Sequence, residues 1–96
     1  MKARLLSHKE IKELKELIPS WQISEKKISK TFRFTNFIDA FSFITKVAMI
    51  AESSCHHPEW RNIYSEVYIV LTTHDLGGIS TLDLKFAQEI DKLNNR

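Results

Sequence analysis

Between Asn36 and Ser53 the chain carries apolar residues on almost every side of a helix. Phe37, Ala40, Phe41, Ile44, Val47, Ala48 and Ala51 recur at 3.6-residue spacing and define a broad face. Ile38, Phe43, Met49 and Ile50 fall outside it. A helix that is apolar nearly all round has to be covered on more than one side. A chain of 96 residues has room for a single core, so one cover is the domain's own sheet and the other is a partner subunit. Asn36 is placed to cap this helix, with Asp39 three residues on. The expected arrangement puts the face from Phe37 through Ile44 to Ala51 on the sheet. Phe43 and Ile50, seven residues apart, then form a flanking stripe suited to contact with another helix.

The neighbouring segments supply that sheet. Ser7-His8-Lys9-Glu10 has the form of a capping box, followed by Ile11, Leu14, Leu17 and Ile18 at helical spacing and ended by Pro19. Trp21 and Ile23 alternate with polar neighbours, Ser24 to Lys27 reads as a turn, and Ile28, Phe32 and Phe34 share one strand face that Lys30 interrupts. Beyond the central helix, Pro58 breaks the helical pattern. Ile63-Tyr64 and Val67 to Thr73 are rich in β-branched and aromatic residues and predict strands, joined by a tight turn at Ser65-Glu66. Tyr68, Val70, Thr72 and His74 fall on one face of the second strand, with Val67, Ile69 and Leu71 on the other. Gly77-Gly78 is a loop, and Ser80 to Asp83 is a second capping box. Leu82, Phe86, Ala87, Ile90 and Leu93 then describe a terminal amphipathic helix. The order α-β-β-α-β-β-α, with two hairpins and no βαβ rhythm, predicts an α+β fold with a four-stranded antiparallel sheet in one domain over residues 1–96.

Charge and composition narrow the function classes. At 43% apolar and 27% charged the chain is an ordinary globular one, and a net charge of +2 without a basic run gives no footing for nucleic acid. One cysteine cannot form an intrachain disulfide. Met1 to His8 lacks the apolar core of a signal peptide, and no apolar stretch approaches the roughly 20 residues that span a bilayer. A cytoplasmic protein without a membrane partner is expected.

Three of the four histidines, His56, His57 and His74, lie between two acids, Glu52 and Asp83. Histidine titrates near neutral pH, so such a cluster suits proton transfer once the fold assembles it. Each member also has a plainer explanation. His56 and His57 follow a helix C-terminus, where the macrodipole favours them. Asp83 is the third residue of a capping box, and Glu52 is a helix-surface acid. Trp21 and Trp60 can fill a core or an interface as readily as they can stack on a flat ligand.

The spacing from Glu52 through His56-His57-Pro58, Tyr64 and His74 to Asp83 resembles the signature of the pterin-4a-carbinolamine dehydratases. Ala51 before it, Thr73-His74-Asp75 and Gly77-Gly78 after it, Trp21-Gln22 and the Phe-rich run from Phe32 to Phe43 extend the resemblance over most of the chain. One position departs from it: Cys55 stands where relatives often carry Asp. The resemblance implies three helices packed on one face of the sheet. It also implies loss of water from a 4a-hydroxytetrahydropterin to give quinonoid dihydropterin, a step of tetrahydrobiopterin recycling. In that reading His56 and His74 are acid and base, and His57 holds and orients the substrate. Pro58, Thr73 and Trp21 contact the substrate, while Glu52 and Asp83 support the histidines. No metal or organic cofactor is needed, and the implied partner is a second copy of the chain, in a dimer or a tetramer joined through the central helices. Two other readings remain at this point. Three histidines suit a zinc site, although adjacent ones do not readily ligate one ion. Some relatives also serve as oligomerisation partners of a transcription factor.

Overall fold

The computed structural model describes residues 3–94, so positions 1–2 and 95–96 of the expected domain lie outside the described residues. The elements are α1 (His8–Leu17), β1 (Gln22–Ile23), β2 (Ile28–Arg33), α2 (Phe37–Ser54), β3 (Glu59–Ile63), β4 (Glu66–Leu71) and α3 (Thr81–Asn94), with a single 3₁₀ turn at His74–Leu76 before α3. The strands form one antiparallel sheet in the order β1-β2-β4-β3. This is the expected α+β order, with the helices on one face.

The core follows from the strand alternation. Ile28 and Phe32 of β2 and Val67, Ile69 and Leu71 of β4 turn inward and are buried against Ala40, Phe43, Ile44, Val47 and Ala51 of α2 and Phe86, Ala87 and Ile90 of α3. The N-caps expected at Ser7 and Asn36 form. The Ser7 hydroxyl accepts from Glu10 N–H while the Glu10 carboxylate accepts from Ser7 N–H, and Asn36 accepts from Asp39 N–H. Leu17 lies outside the core and is exposed. Lys30, which breaks the pattern of β2, still points to the helix side. Its ammonium reaches Asp91 of α3 at 2.8 Å and sits over the Phe32 ring, so the chain accommodates an inward charge by pairing it.

Two expectations are corrected. The buried stripe of α2 is Ala40, Phe43, Ile44, Val47 and Ala51, rotated roughly 40° about the axis from the expected face at about 100° per residue. Phe43 is inside, with ring centroids 4.8 Å from Phe32 and 5.0 Å from Phe34. Ile50 packs against the core, whereas Phe37 and Phe41 are exposed. Phe32 of β2 and Phe34 just past its end decide this register, because Phe43 reaches both of them. The uncovered apolar surface is therefore the opposite flank, Phe37, Ile38, Phe41 and Met49. The β3–β4 turn is also displaced by one residue. Ile63 pairs with Glu66, which leaves Tyr64-Ser65 as the two-residue loop, with Tyr64 at φ 50°. The Asn62 amide donates to the carbonyls of Tyr64 and Glu66 and holds that turn.

Candidate active site

The site is built where α2 stops. Cys55 adopts a left-handed conformation, φ 54° and ψ 37°, and its N–H and that of His56 close onto carbonyls of the last helical turn. That geometry favours Gly, Asn or Asp over other residues. The reversal turns His56 inward, towards α3. Pro58 then keeps His57 extended and leads the chain into the edge strand β3.

His56 and His57 part company at this point. The His56 side chain is only 11% exposed, its Nε2 lies 2.5 Å from Oδ1 of Asp83, and its ring packs near Phe86 with centroids 6.2 Å apart. His57 is largely exposed and its Nε2 lies 3.0 Å from Glu52 Oε1, also in solvent. An exposed pair of this kind contributes about 0–1 kcal/mol. The acid paired with His56 is therefore Asp83, 27 residues further along the chain, and Glu52 pairs with His57.

Asp83 is wholly buried. It sits in the first turn of α3, and its Oδ2 accepts from Ser80 N–H at 2.9 Å, as the capping pattern requires. The same oxygen accepts from the Thr73 hydroxyl at 2.8 Å, and Thr73 Oγ1 lies 2.6 Å from Ser80 Oγ. A buried carboxylate is costly unless its oxygens are paired, and here every neighbour offers a donor. Among the described residues no buried side-chain nitrogen or oxygen lacks a partner. The two oxygens of Asp83 divide: Oδ2 closes the first turn of α3 and Oδ1 faces His56.

The remaining expected residues fall into place unevenly. Thr73 is buried and its hydroxyl is committed to Asp83, so it supports the carboxylate where substrate contact was expected. His74 follows it directly. The strand β4 ends at Leu71, so His74 opens the 3₁₀ turn, exposed, beside the Thr73–Gly78 bridge that pins the loop. Pro58 is half-buried at the site's edge. Trp21 is not a stacking surface. It is 5% exposed, edge-on to Phe32, with its Nε1 donating to Asp91 at 3.0 Å, because the β1–β2 hairpin folds it into the core. Trp60, on the edge strand β3, is partly exposed. Ser80 was read only as a cap. Its contact with Thr73 has no sequence signal, since the two meet through a loop closure and share no periodic spacing. Among the described residues no three His, Cys, Asp or Glu side chains gather as a metal-ligand set, and no helix is long and apolar enough to cross a membrane.

A small α+β sheet domain with a histidine seated on a buried aspartate is thus the class that fold and site define. A sequence profile for pterin 4 alpha carbinolamine dehydratase matches residues 4–93, and the chain belongs to that family. Two Prochlorococcus marinus proteins named for this dehydratase are 57% and 55% identical over 93 residues, covering 97% of this chain and of each relative. A crystal structure from Brucella melitensis, described as a transcriptional coactivator/pterin dehydratase, superimposes with a TM-score of 0.89 at 34% identity, over 94% of this chain and 98% of that one. A pterin dehydratase-like protein described as a RuBisCO assembly factor of the alpha-carboxysome shares the fold, with a TM-score of 0.64 over 78% of this chain and 87% of its own at 24% identity.

Proposed function

We propose that this protein is a hydro-lyase that dehydrates 4a-hydroxytetrahydropterins by general acid–base catalysis in the cytoplasm. The observation that carries the proposal is His56 held by a fully buried carboxylate at the mouth of the α2–β3 turn. The family supports the substrate class, and the match to a relative named for the activity covers 97% of this chain at 57% identity.

The reaction balances with proton transfers alone. A base removes the proton on ring N5, the N5 electrons form the C4a=N5 double bond, and the C4a–O bond breaks as an acid protonates the departing hydroxyl. Water and quinonoid dihydropterin leave, and solvent exchange returns the proton from base to acid. His56 and His74 share these two roles, with His57 and its partner Glu52 holding the substrate at the open side. Positioned groups of this kind contribute roughly 10² to 10⁴ in rate. Neither a metal nor an organic cofactor enters the scheme. Purified protein mixed with freshly generated 4a-hydroxytetrahydropterin should exceed the buffer rate and keep its turnover after dialysis against a chelator. A rate equal to buffer would refute the activity, and loss of turnover on chelation would refute the metal-free scheme.

A second reading, compatible with the first, concerns assembly. Phe37, Ile38, Phe41 and Met49 leave one flank of α2 apolar and exposed. A surface of this kind on a monomer invites association. We propose that it is covered by the same helix of other copies in a homodimer or homotetramer.

A further inference from the structure

We infer that Thr73 and Ser80 are positioning residues that act through Asp83 to fix the tautomer of His56, leaving Nδ1 as its reactive nitrogen. The inference deepens the acid–base reading above and rests on it for its catalytic meaning. Its basis is that each proton in the cluster has only one place to go. The Leu82 N–H lies 3.1 Å from Ser80 Oγ and can only donate, so it takes one lone pair of that hydroxyl. A carboxylate has no proton to give, so at the 2.8 Å contact with Asp83 Oδ2 the donor is Thr73. Thr73 has a single hydroxyl proton. At its 2.6 Å contact with Ser80 Oγ it must therefore accept, and Ser80 donates.

The network runs in one direction, from Leu82 through Ser80 and Thr73 to Asp83. Together with the Ser80 N–H at 2.9 Å it gives Oδ2 two donors and prevents the carboxylate from exchanging its oxygens. Oδ1 is left facing His56 Nε2 at 2.5 Å, and with Asp83 ionised that nitrogen carries the proton. In the neutral ring the lone pair then belongs to Nδ1. When Nδ1 takes a proton, the imidazolium that results is stabilised by a charge-assisted bond to the same carboxylate. Once charged, the ring can return that proton to a leaving hydroxyl. Whichever of the two roles His56 takes beside His74, it uses one atom, held by hydroxyls committed to the Asp83 network.

The test is ¹⁵N NMR of the whole histidine-labelled protein, taken above the ring's titration. His56 should show a protonated Nε2 and a bare Nδ1. Asp83→Asn should invert this pattern. The Ser80 N–H can only donate, so the amide oxygen must take the Oδ2 position and the amide NH₂ must face Nε2. The kcat of that variant should fall by about 10² to 10⁴ with KM little changed, the size of effect a wrong tautomer has in a comparable His–Asp pair. Thr73→Val should lower kcat by roughly 5- to 10-fold, the loss of one hydrogen bond, and Thr73→Ser should restore it. A wild-type ring with its proton on Nδ1, or an Asp83→Asn ring with an unchanged tautomer, would overturn the inference. The wild-type spectrum needs neither turnover nor a folded variant. If the protein failed to dehydrate pterins but kept the Nε2–H ring, the reaction assignment would fall and the positioning role would stand.

Discussion

Phe43 and Phe41 are two residues apart on α2, yet truncating them should have different consequences. Phe43 is 5% exposed and packs on the Phe32 and Phe34 rings, whereas Phe41 is 53% exposed. Phe43→Ala removes a ring from a packed core, at a cost of about 3–5 kcal/mol. A domain of this size has about 5–15 kcal/mol of stability in all. The variant should therefore fold at room temperature but melt early. At about 4–8 °C per kcal/mol the midpoint should fall by roughly 12–40 °C. Phe41→Ala leaves the core intact and weakens only the proposed contact between copies. Its loss in thermal stability should grow on dilution, because subunit association stabilises by mass action. The Phe43→Ala loss should be present at every concentration. Thermal unfolding by circular dichroism over a hundredfold concentration range, with sedimentation to read the assembly, separates the two. Equal and small shifts for both, or a wild-type monomer at micromolar concentration, would show that the helix is not oriented and covered in this way.

Other consequences are local. Cys55→Gly should raise stability by about 1 kcal/mol, since glycine adopts the left-handed conformation at φ 54° without strain, and it should leave the His56–Asp83 contact intact. Unchanged or lower stability, read by denaturant titration, would refute that reading of the turn. At the N-terminus of α1 the Arg4 guanidinium, with the Ser7 N–H, lowers the pKa of Glu10 to about 2. A depressed carboxylate stabilises above its ordinary value near 4.5 and loses that contribution as pH falls through its folded value, so α1 should fray between about pH 4.5 and 2. NMR titration should place the Glu10 midpoint near 2 and move it upward in Arg4→Ala. A midpoint at the ordinary carboxylate value would contradict the pairing.

The parts legible in the sequence were those written in local spacing. The capping box at Ser7, the N-cap at Ser80, the alternation of Val67, Ile69 and Leu71, and the break at Pro58 each depend on residues within a few positions of one another. The rotation of α2 was not legible, because residues on several sides are apolar and only the positions of Phe32 and Phe34 choose among them. The turn at Tyr64 was missed since a bulky residue there gives no positive-φ signal. At the site, the histidines and both acids could be named, but their pairing could not. Glu52 is nearest His56 in sequence, and Asp83 reaches it only because the loop at Thr73–Gly78 folds α3 back across the end of α2.

The central claim is that His56, seated on Asp83, moves a proton in the dehydration step. It is tested most directly by the single-variant comparison of kcat for 4a-hydroxytetrahydropterin with wild type and His56→Ala at saturating substrate. An acid–base group acts in the transition state, so kcat should fall by roughly 10² to 10⁴ while substrate binding persists. A variant that turns over at the wild-type rate would contradict the account, whatever its effect on KM.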